Sequence, residues 1–277
     1  MKIWLGDGTG GGLVHEEDAT VSVADHGFTV GDGVFETMKA VGGGAFALTR
    51  HLDRLTRSAR GLGLPDPDLA MVREACAEVL AANPMEGAGR LRVTYTGGPS
   101  PLGSDRGAAP ATLVVALAPA KPHRPTTAVA TVPWTRNENA PTTGLKTTSY
   151  ADNVVMLARA AKQGASEALF ANTAGLLCEG TGSNVFVGVG GRLLTPRLES
   201  GCLAGVTRAL VLEWTDAEEA DLPYSVLGEA DEIFVTSSLR DVQAVHRLDT
   251  RDLAAPGPLT RAAAEAFVAR AAADIDP

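Results

Sequence analysis

The stretch Gly144-Leu145-Lys146-Thr147-Thr148-Ser149-Tyr150 decides how this chain is read. It offers one lysine in an uncharged, hydroxyl-rich segment shortly after Pro141, with no carboxylate nearby on either side. From Tyr150 the pattern turns helical: Val154, Leu157, Ala158 and Ala161 share a stripe, and Gly164 is the stop. Lys146 therefore sits where a loop or strand enters a helix. Desolvation disfavours an ammonium and favours the nucleophilic amine, so a lysine held there is a candidate for covalent chemistry. A lone lysine is more often an ordinary surface residue. The rest of the chain decides between the two.

A chain of 277 residues is long enough for a large core, as one big domain or two. Hydrophobic residues make up 45% and charged residues 21%, the balance of a soluble globular protein. The net charge of -9 speaks against a nucleic-acid surface, which needs a basic stripe. Cys76, Cys178 and Cys202 are scattered, with neither a disulfide framework nor metal-ligand spacing. No apolar run reaches membrane-spanning length, and no basic-then-apolar leader pattern opens the sequence. A cytoplasmic protein that binds neither nucleic acid, membrane nor metal is the expectation.

In chain order, Lys2-Leu5, Leu13-His15 and Thr20-Val23 read as short strands around a glycine turn. The glycines are no phosphate loop, because no helix follows them. Val34 to Val41 alternates like a strand, with Phe35, Thr37 and Lys39 on one face and Val34, Glu36 and Met38 on the other. Thr49 reads as the cap of a helix through Arg60 that carries Arg50, Arg54 and Arg57 at helical spacing. That is a solvated face or an anion site, since the guanidinium fork fits phosphate. A second helix runs from about Asp68 to Ala82. Strands follow at Arg90-Thr96 and Ala111-Ala118, separated by a loop from Gly97 to Pro110 that is long for a plain connection. The expected domains are 1–118, a Pro-rich linker 119–126, and 127–277.

The second half adds a strand at Thr127-Pro133, then Lys146 and its helix, then a hairpin ending in Glu179-Gly180-Thr181-Gly182-Ser183-Asn184. Gly205-Val206-Thr207-Arg208 opens a further helix, where free amides and the helix dipole favour an anion. Thr236-Ser237-Ser238 ends a strand and offers three hydroxyls, and a last helix runs from about Thr260 to Ala272. Arg54 supplies a fixed positive charge. A phosphate guest together with a lysine suggests an aldehyde on the same molecule, and pyridoxal phosphate joins the two. Its ring nitrogen needs an acidic partner to act as an electron sink, and Glu179 is the candidate.

On these residues the chain resembles the class IV aminotransferases, the fold-type IV pyridoxal-phosphate enzymes. The matching segments come in the family's order: Gly31 to Thr37, His51 to Leu55, Lys146 with its helix, Glu179 to Asn184, Gly205 to Arg208 and Thr236 to Ser238. The resemblance implies a mixed α/β fold, with a smaller N-terminal α/β domain and a larger C-terminal domain around a β-barrel-like core. It also implies a homodimer, with the loop Gly97–Pro110 reaching toward the partner. Lys146 resembles the Schiff-base lysine, Glu179 the partner of the pyridine nitrogen, and Arg54 the phosphate arginine, with His51 structural. Val206 and Thr207, joined by Thr236, Ser237 or Ser238, resemble the phosphate cup. Tyr150 resembles the contact to the cofactor's O3′, and Asn184 fixes the turn after Glu179.

The chain departs from two branches of the family. The Arg-x-His carboxylate trap of the D-amino-acid enzymes is replaced by Gly97-Gly98-Pro99-Ser100. The Phe-Glu-Gly-x-Arg of the branched-chain enzymes is replaced by Phe35-Glu36-Thr37-Met38-Lys39. Phe35-Glu36-Thr37, Arg136-Asn137 and Asp105-Arg106-Gly107 lean toward the aminodeoxychorismate-lyase-like branch. The expectation is a transaminase acting between an amino donor and a 2-oxo acid, with the lyase as alternative. A non-catalytic ligand-binding chain and a cofactor-free lysine aldolase are the readings from other classes. Both leave the pairing of Lys146 with Glu179 unexplained. A substrate carboxylate needs a cation, and Lys39 or Arg106 stands ahead of Arg92 for that place, with Phe35 and Thr37 on the face that Lys39 shares.

Overall fold

The computed structural model describes Met1–Pro277 and divides it into two compact units. The first comprises Met1–Lys121, Leu145–Tyr150 and Ile275–Pro277. The second comprises Pro122–Gly144 and Ala151–Asp274. The Lys146 segment therefore belongs to the first unit, although the sequence places it beyond the expected linker. Backbone bonding is the reason: Phe35 N–H donates to Lys146 O and Thr148 N–H to Gly33 O, which pins residues 146–148 along a strand of that unit.

The first unit is one antiparallel sheet with helices packed on it. Its strands are β1 (Lys2–Asp7), β2 (Gly10–His15), β3 (Gly33–Val41), β4 (Gly44–Ala45), β5 (Gly89–Thr96) and β6 (Thr112–Pro119), in the order β2-β1-β6-β5-β3-β4. Thr20–Val23 forms no strand, contrary to the short strand expected there. A short helix α1 (His26–Thr29) is capped by Asp25, and α2 (Leu48–Leu62) and α3 (Leu69–Ala82) cover the sheet. Val34, Met38, Leu91, Val93, Val115 and Leu117 of the sheet meet Leu52, Leu55, Val72 and Val79 of the helices in one buried core. Each such side chain contributes about 1.5–3 kcal/mol by leaving water.

Thr49 is not the cap of α2. The helix begins one residue earlier, after Ala47 in a left-handed conformation that offers no side-chain cap. Asp276 from the chain's last residues caps it instead, accepting from Thr49 N–H at 2.7 Å and from Thr49 Oγ1 at 2.6 Å. The arginine row does not form one anion site either. Arg54 turns into the core, Arg57 is exposed, and Arg50 donates through Nε to Pro277 O.

The second unit is built on a sheet of nine strands. These are β7 (Thr126–Thr131), β8 (Glu167–Ala171), β9 (Leu177–Gly180), β10 (Asn184–Val189), β11 (Arg192–Pro196), β12 (Glu218–Ala220), β13 (Glu232–Ser237), β14 (Asp241–Leu248) and β15 (Arg251–Asp252). The order is β12-β11-β10-β13-β14-β7-β8-β9, with β15 paired to β14. The helices are α4 (Ala151–Lys162), α5 (Val206–Trp214), α6 (Val226–Glu229) and α7 (Pro258–Ala273). β8 is buried along its whole length and β10 up to Val189, so these strands read as largely apolar runs rather than alternations.

The stripe expected to bury α4 is the wrong one. Asn153, Met156 and Ala160 face inward, while Val154, Val155 and Leu157 are exposed. A polar tie sets the rotation, because Asn153 Nδ2 donates to Thr181 O at 2.6 Å. A buried amide is costly without such a partner, so the bond outranks the burial of two valines.

Candidate active site

Lys146 is held from both sides by the backbone. Its N–H donates to Ser58 Oγ of α2 at 3.1 Å, and its carbonyl accepts from Phe35 N–H at 3.0 Å. Thr147 bridges to Val34, and the Thr148 and Ser149 hydroxyls donate to Gly31 O. Gly31 has φ +71°, and a Cβ there would lie 2.5 Å from Ser149 Oγ, so the glycine is required twice over. This explains why a Gly-Asp-Gly motif precedes β3: it lets the lysine segment lie against the strand.

The Lys146 amine lies 4.4 Å from the Phe35 ring centre and 5.9 Å from that of Tyr150. The two rings meet edge to face at 5.2 Å. Phe35, Thr37 and Lys39 therefore form the strand face that Lys146 shares. Arg92, paired with Thr37 across β3 and β5, stacks on the same Phe35 ring at 3.9 Å. Burial pushes the Arg92 guanidinium down from its usual value, yet an arginine stays charged. Lys146 and Arg92 thus place two cations on one aromatic ring. Lys39 is half-buried on that face. Arg106 is engaged elsewhere, with both Asp32 oxygens at 2.6 Å and with the carbonyls of Leu62 and Gly63 at the end of α2. Of the three expected cations, Arg92 is the one the structure brings to Phe35.

The opposite face of β3 holds a charge cluster that the sequence reading missed. Glu36 is fully buried and accepts from Arg54 Nε at 2.8 Å and Nη2 at 2.7 Å. His51 Nδ1 lies 2.6 Å from the same carboxylate. Burial alone would raise the Glu36 carboxyl, but the Arg54 charge and hydrogen bonds, with His51, bring it down to about 2. Burial pushes the His51 ring down despite Glu36, so the neutral ring donates through Nδ1. The available signal was an acid on the apolar face Val34-Glu36-Met38, which demands a buried cation.

In the second unit Glu179 is the penultimate residue of β9 and is buried. Its Oε2 accepts from Leu203 N–H at 2.9 Å and lies 3.4 Å from Asn184 Nδ2, and Oε1 lies 3.6 Å from Arg136 Nη2. Asn184 Nδ2 also donates to Leu203 O at 2.8 Å. The turn from Gly180 to Ser183 is tied to Glu167, which accepts from Thr181 N–H at 2.9 Å and from Ser183 Oγ at 2.8 Å, and from the Thr181 hydroxyl. Arg136 and Glu167 were not among the expected site residues. Only distant positions that the fold brings together reveal them.

Asn184 also links Glu179 to the start of α5. It pairs with Thr236 across β10 and β13, and a Cβ on Gly205 would lie 2.0 Å from its Oδ1. Only glycine allows α5 to begin so close. Val206 and Thr207 open that helix, where the first amides have no partner within the helix. Thr236 is 1% exposed, and its Oγ1 is buried without a hydrogen-bond partner. Ser237 is half-buried, and its Oγ accepts from Arg240 N–H at 3.3 Å. Arg208 turns away, to Pro196 O and Glu219. Amides without an intrahelical partner at a helix start, together with an orphaned buried hydroxyl, suit a phosphate group. The thiols offer no competing nucleophile: burial raises Cys76 to about 12 and Cys202 to about 11, and raises Cys178 further.

The family model for amino-transferase class IV matches residues 33–248. A bifunctional aminodeoxychorismate lyase / D-amino acid transaminase of Mycobacterium tuberculosis is 34% identical, over 80% of this chain and 84% of that protein. The branched-chain aminotransferase of Thermoproteus uzoniensis, solved with norvaline, is 30% identical with a TM-score of 0.87, covering 97% of this chain and 93% of that one. A hypothetical aminotransferase of Mycobacterium tuberculosis in its PLP-bound form is 29% identical with a TM-score of 0.84, covering 96% and 98%. The chain belongs to the class IV aminotransferases.

Proposed function

We propose that the protein is a pyridoxal-phosphate-dependent transaminase that moves an amino group between an amino acid or amine and a 2-oxo acid. The observation that carries this is Lys146, bonded through its backbone to Phe35 and Ser58 with its amine against the Phe35 ring. The cofactor, when bound, supplies an aldehyde for the amino group and a ring that accepts an electron pair. Lys146 would hold that aldehyde, and its amine is the group that would move the proton at the substrate's Cα. Glu179, held by Leu203 N–H, Asn184 and Arg136, would keep a proton on the ring nitrogen. Arg54, Val206, Thr207, Thr236 and Ser237 are the residues that would hold the phosphate, and Tyr150 the one that would contact O3′. Arg92, with Phe35 and Thr37, meets the substrate carboxylate. The lyase alternative is not favoured; transamination is the activity that the relatives' names have in common.

A homodimer fits the apolar surface of the first unit. Val23 is 81% exposed, Phe28 77% and Leu102 86%. Pairing of Asp25 with Pro99 brings their segments together. No helix is long and apolar enough to cross a membrane. Three free cysteines fit a reducing, cytoplasmic compartment. The test is a half-reaction screen. Purified holoenzyme is mixed with D- and L-amino acids, (R)-amines and aminodeoxychorismate while the cofactor absorbance is followed. Conversion to the amine form of the cofactor supports a transaminase. Release of pyruvate and 4-aminobenzoate from aminodeoxychorismate, with no stable conversion, supports the lyase.

A further inference from the structure

We infer that Glu36 is a positioning residue for anion binding, fixing which edge of the Arg54 guanidinium is presented to the cofactor phosphate. The inference rests on the phosphate role proposed for Arg54 and goes beyond it. A guanidinium carries its donors on two usable edges. Glu36 takes the Nε/Nη2 edge with both carboxylate oxygens, and this directs the Nη1 side away from Glu36. Arg54 is 5% exposed and Glu36 is 0%, so neither swings freely. His51 adds a third anchor at 2.6 Å on the same carboxylate. Lys146 N–H is bonded to Ser58, one helical turn along α2 from Arg54. The helix that carries the arginine therefore also seats the lysine.

Charge and geometry predict opposite outcomes here. A carboxylate beside Arg54 weakens the field an anion feels, so its removal tightens phosphate binding if charge dominates. If orientation dominates, its removal weakens binding, as with outer-shell partners that hold a binding group in place. In a buried cluster the orientation term wins, because an unheld guanidinium must find another acceptor and turns to reach it.

The discriminating probe is the ratio of affinities for pyridoxal 5′-phosphate and for pyridoxal, which lacks the phosphate. It is measured by absorbance titration on the full chain after its cofactor has been resolved. Glu36→Gln and Arg54→Met should each lower the ratio by about tenfold or more, and the double variant should fall no further than Arg54→Met alone. A Glu36→Gln ratio that is unchanged or raised, with Arg54→Met lowered, overturns the positioning role and leaves the phosphate role of Arg54 standing. An unchanged ratio in Arg54→Met overturns that phosphate role itself. If Glu36→Gln does not fold, Glu36→Asp keeps the charge but shortens the reach. Its ratio should fall, and an unchanged one overturns the inference.

Discussion

Glu36 and Arg54 form a two-pronged ion pair, at 2.8 and 2.7 Å, with the carboxylate wholly removed from water. Such a pair costs desolvation on both sides and repays it only while both charges persist. Its loss in acid is therefore steep.

The Glu36 carboxyl titrates at about 2 in the fold, against 4.5 as its ordinary value. A depressed folded value means that the unfolded chain binds the proton more readily. The stabilisation is complete above about pH 4.5 and is lost as pH falls toward 2. It amounts to a few kcal/mol by linkage. Thermal unfolding of the wild type should show this decline below pH 4.5. Glu36→Gln should be less stable at pH 7 and decline less over the same range. Equal declines in both proteins contradict the assignment.

Glu179→Gln should keep most of the cofactor affinity and slow the half-reaction about a hundredfold, the range of a proton-transfer contribution. Leu203 N–H and Asn184 can still donate to an amide oxygen at that position, but the anion that faces Arg136 is gone. Rapid-mixing absorbance of the variant separates the two quantities. A variant that loses cofactor but keeps its rate per bound cofactor contradicts the role.

Lys146, Glu179 and the Gly205–Thr207 helix start, to which the proposed function assigns roles, are picked out in the sequence by short local patterns. The cluster on β3 was not legible in the same way. Alternation puts Glu36 on the apolar face, but only the packing of α2 shows that Arg54 and His51 meet it there. The rotation of α4 was misread because one amide bond, from Asn153 to Thr181, outweighs an apolar stripe. The cap of α2 was misread because Asp276 lies 227 positions away in sequence.

Arg92→Met should raise KM for amino and keto acids by about tenfold to a hundredfold and leave simple amines nearly unchanged. Only a carboxylate loses a charge partner, worth about 1.5–3 kcal/mol. Steady-state kinetics on paired substrates check this. Equal effects on acids and amines would assign Arg92 to packing on Phe35 instead.

Asp32→Asn should loosen the loop from Gly97 to Pro110, because Arg106 loses its two-pronged partner. The Arg106 hydrogen bond holds the Asp32 carboxyl below its usual range, so the tether persists at neutral pH and fails only in acid. Proteolysis within the loop should speed up about tenfold, for a loss of about 1–2 kcal/mol. Sedimentation should show weaker dimers if the loop reaches a partner. A wild type that is monomeric and fully active contradicts the dimer.

The central claim is that Lys146 bonds the cofactor. Borohydride reduction of the yellow holoenzyme, followed by peptide mass analysis, tests it directly. The account predicts one reduced pyridoxyl adduct, on the peptide that contains Lys146, and none in Lys146→Ala, which still binds cofactor without a covalent bond. An adduct on any other lysine of the wild type would contradict it.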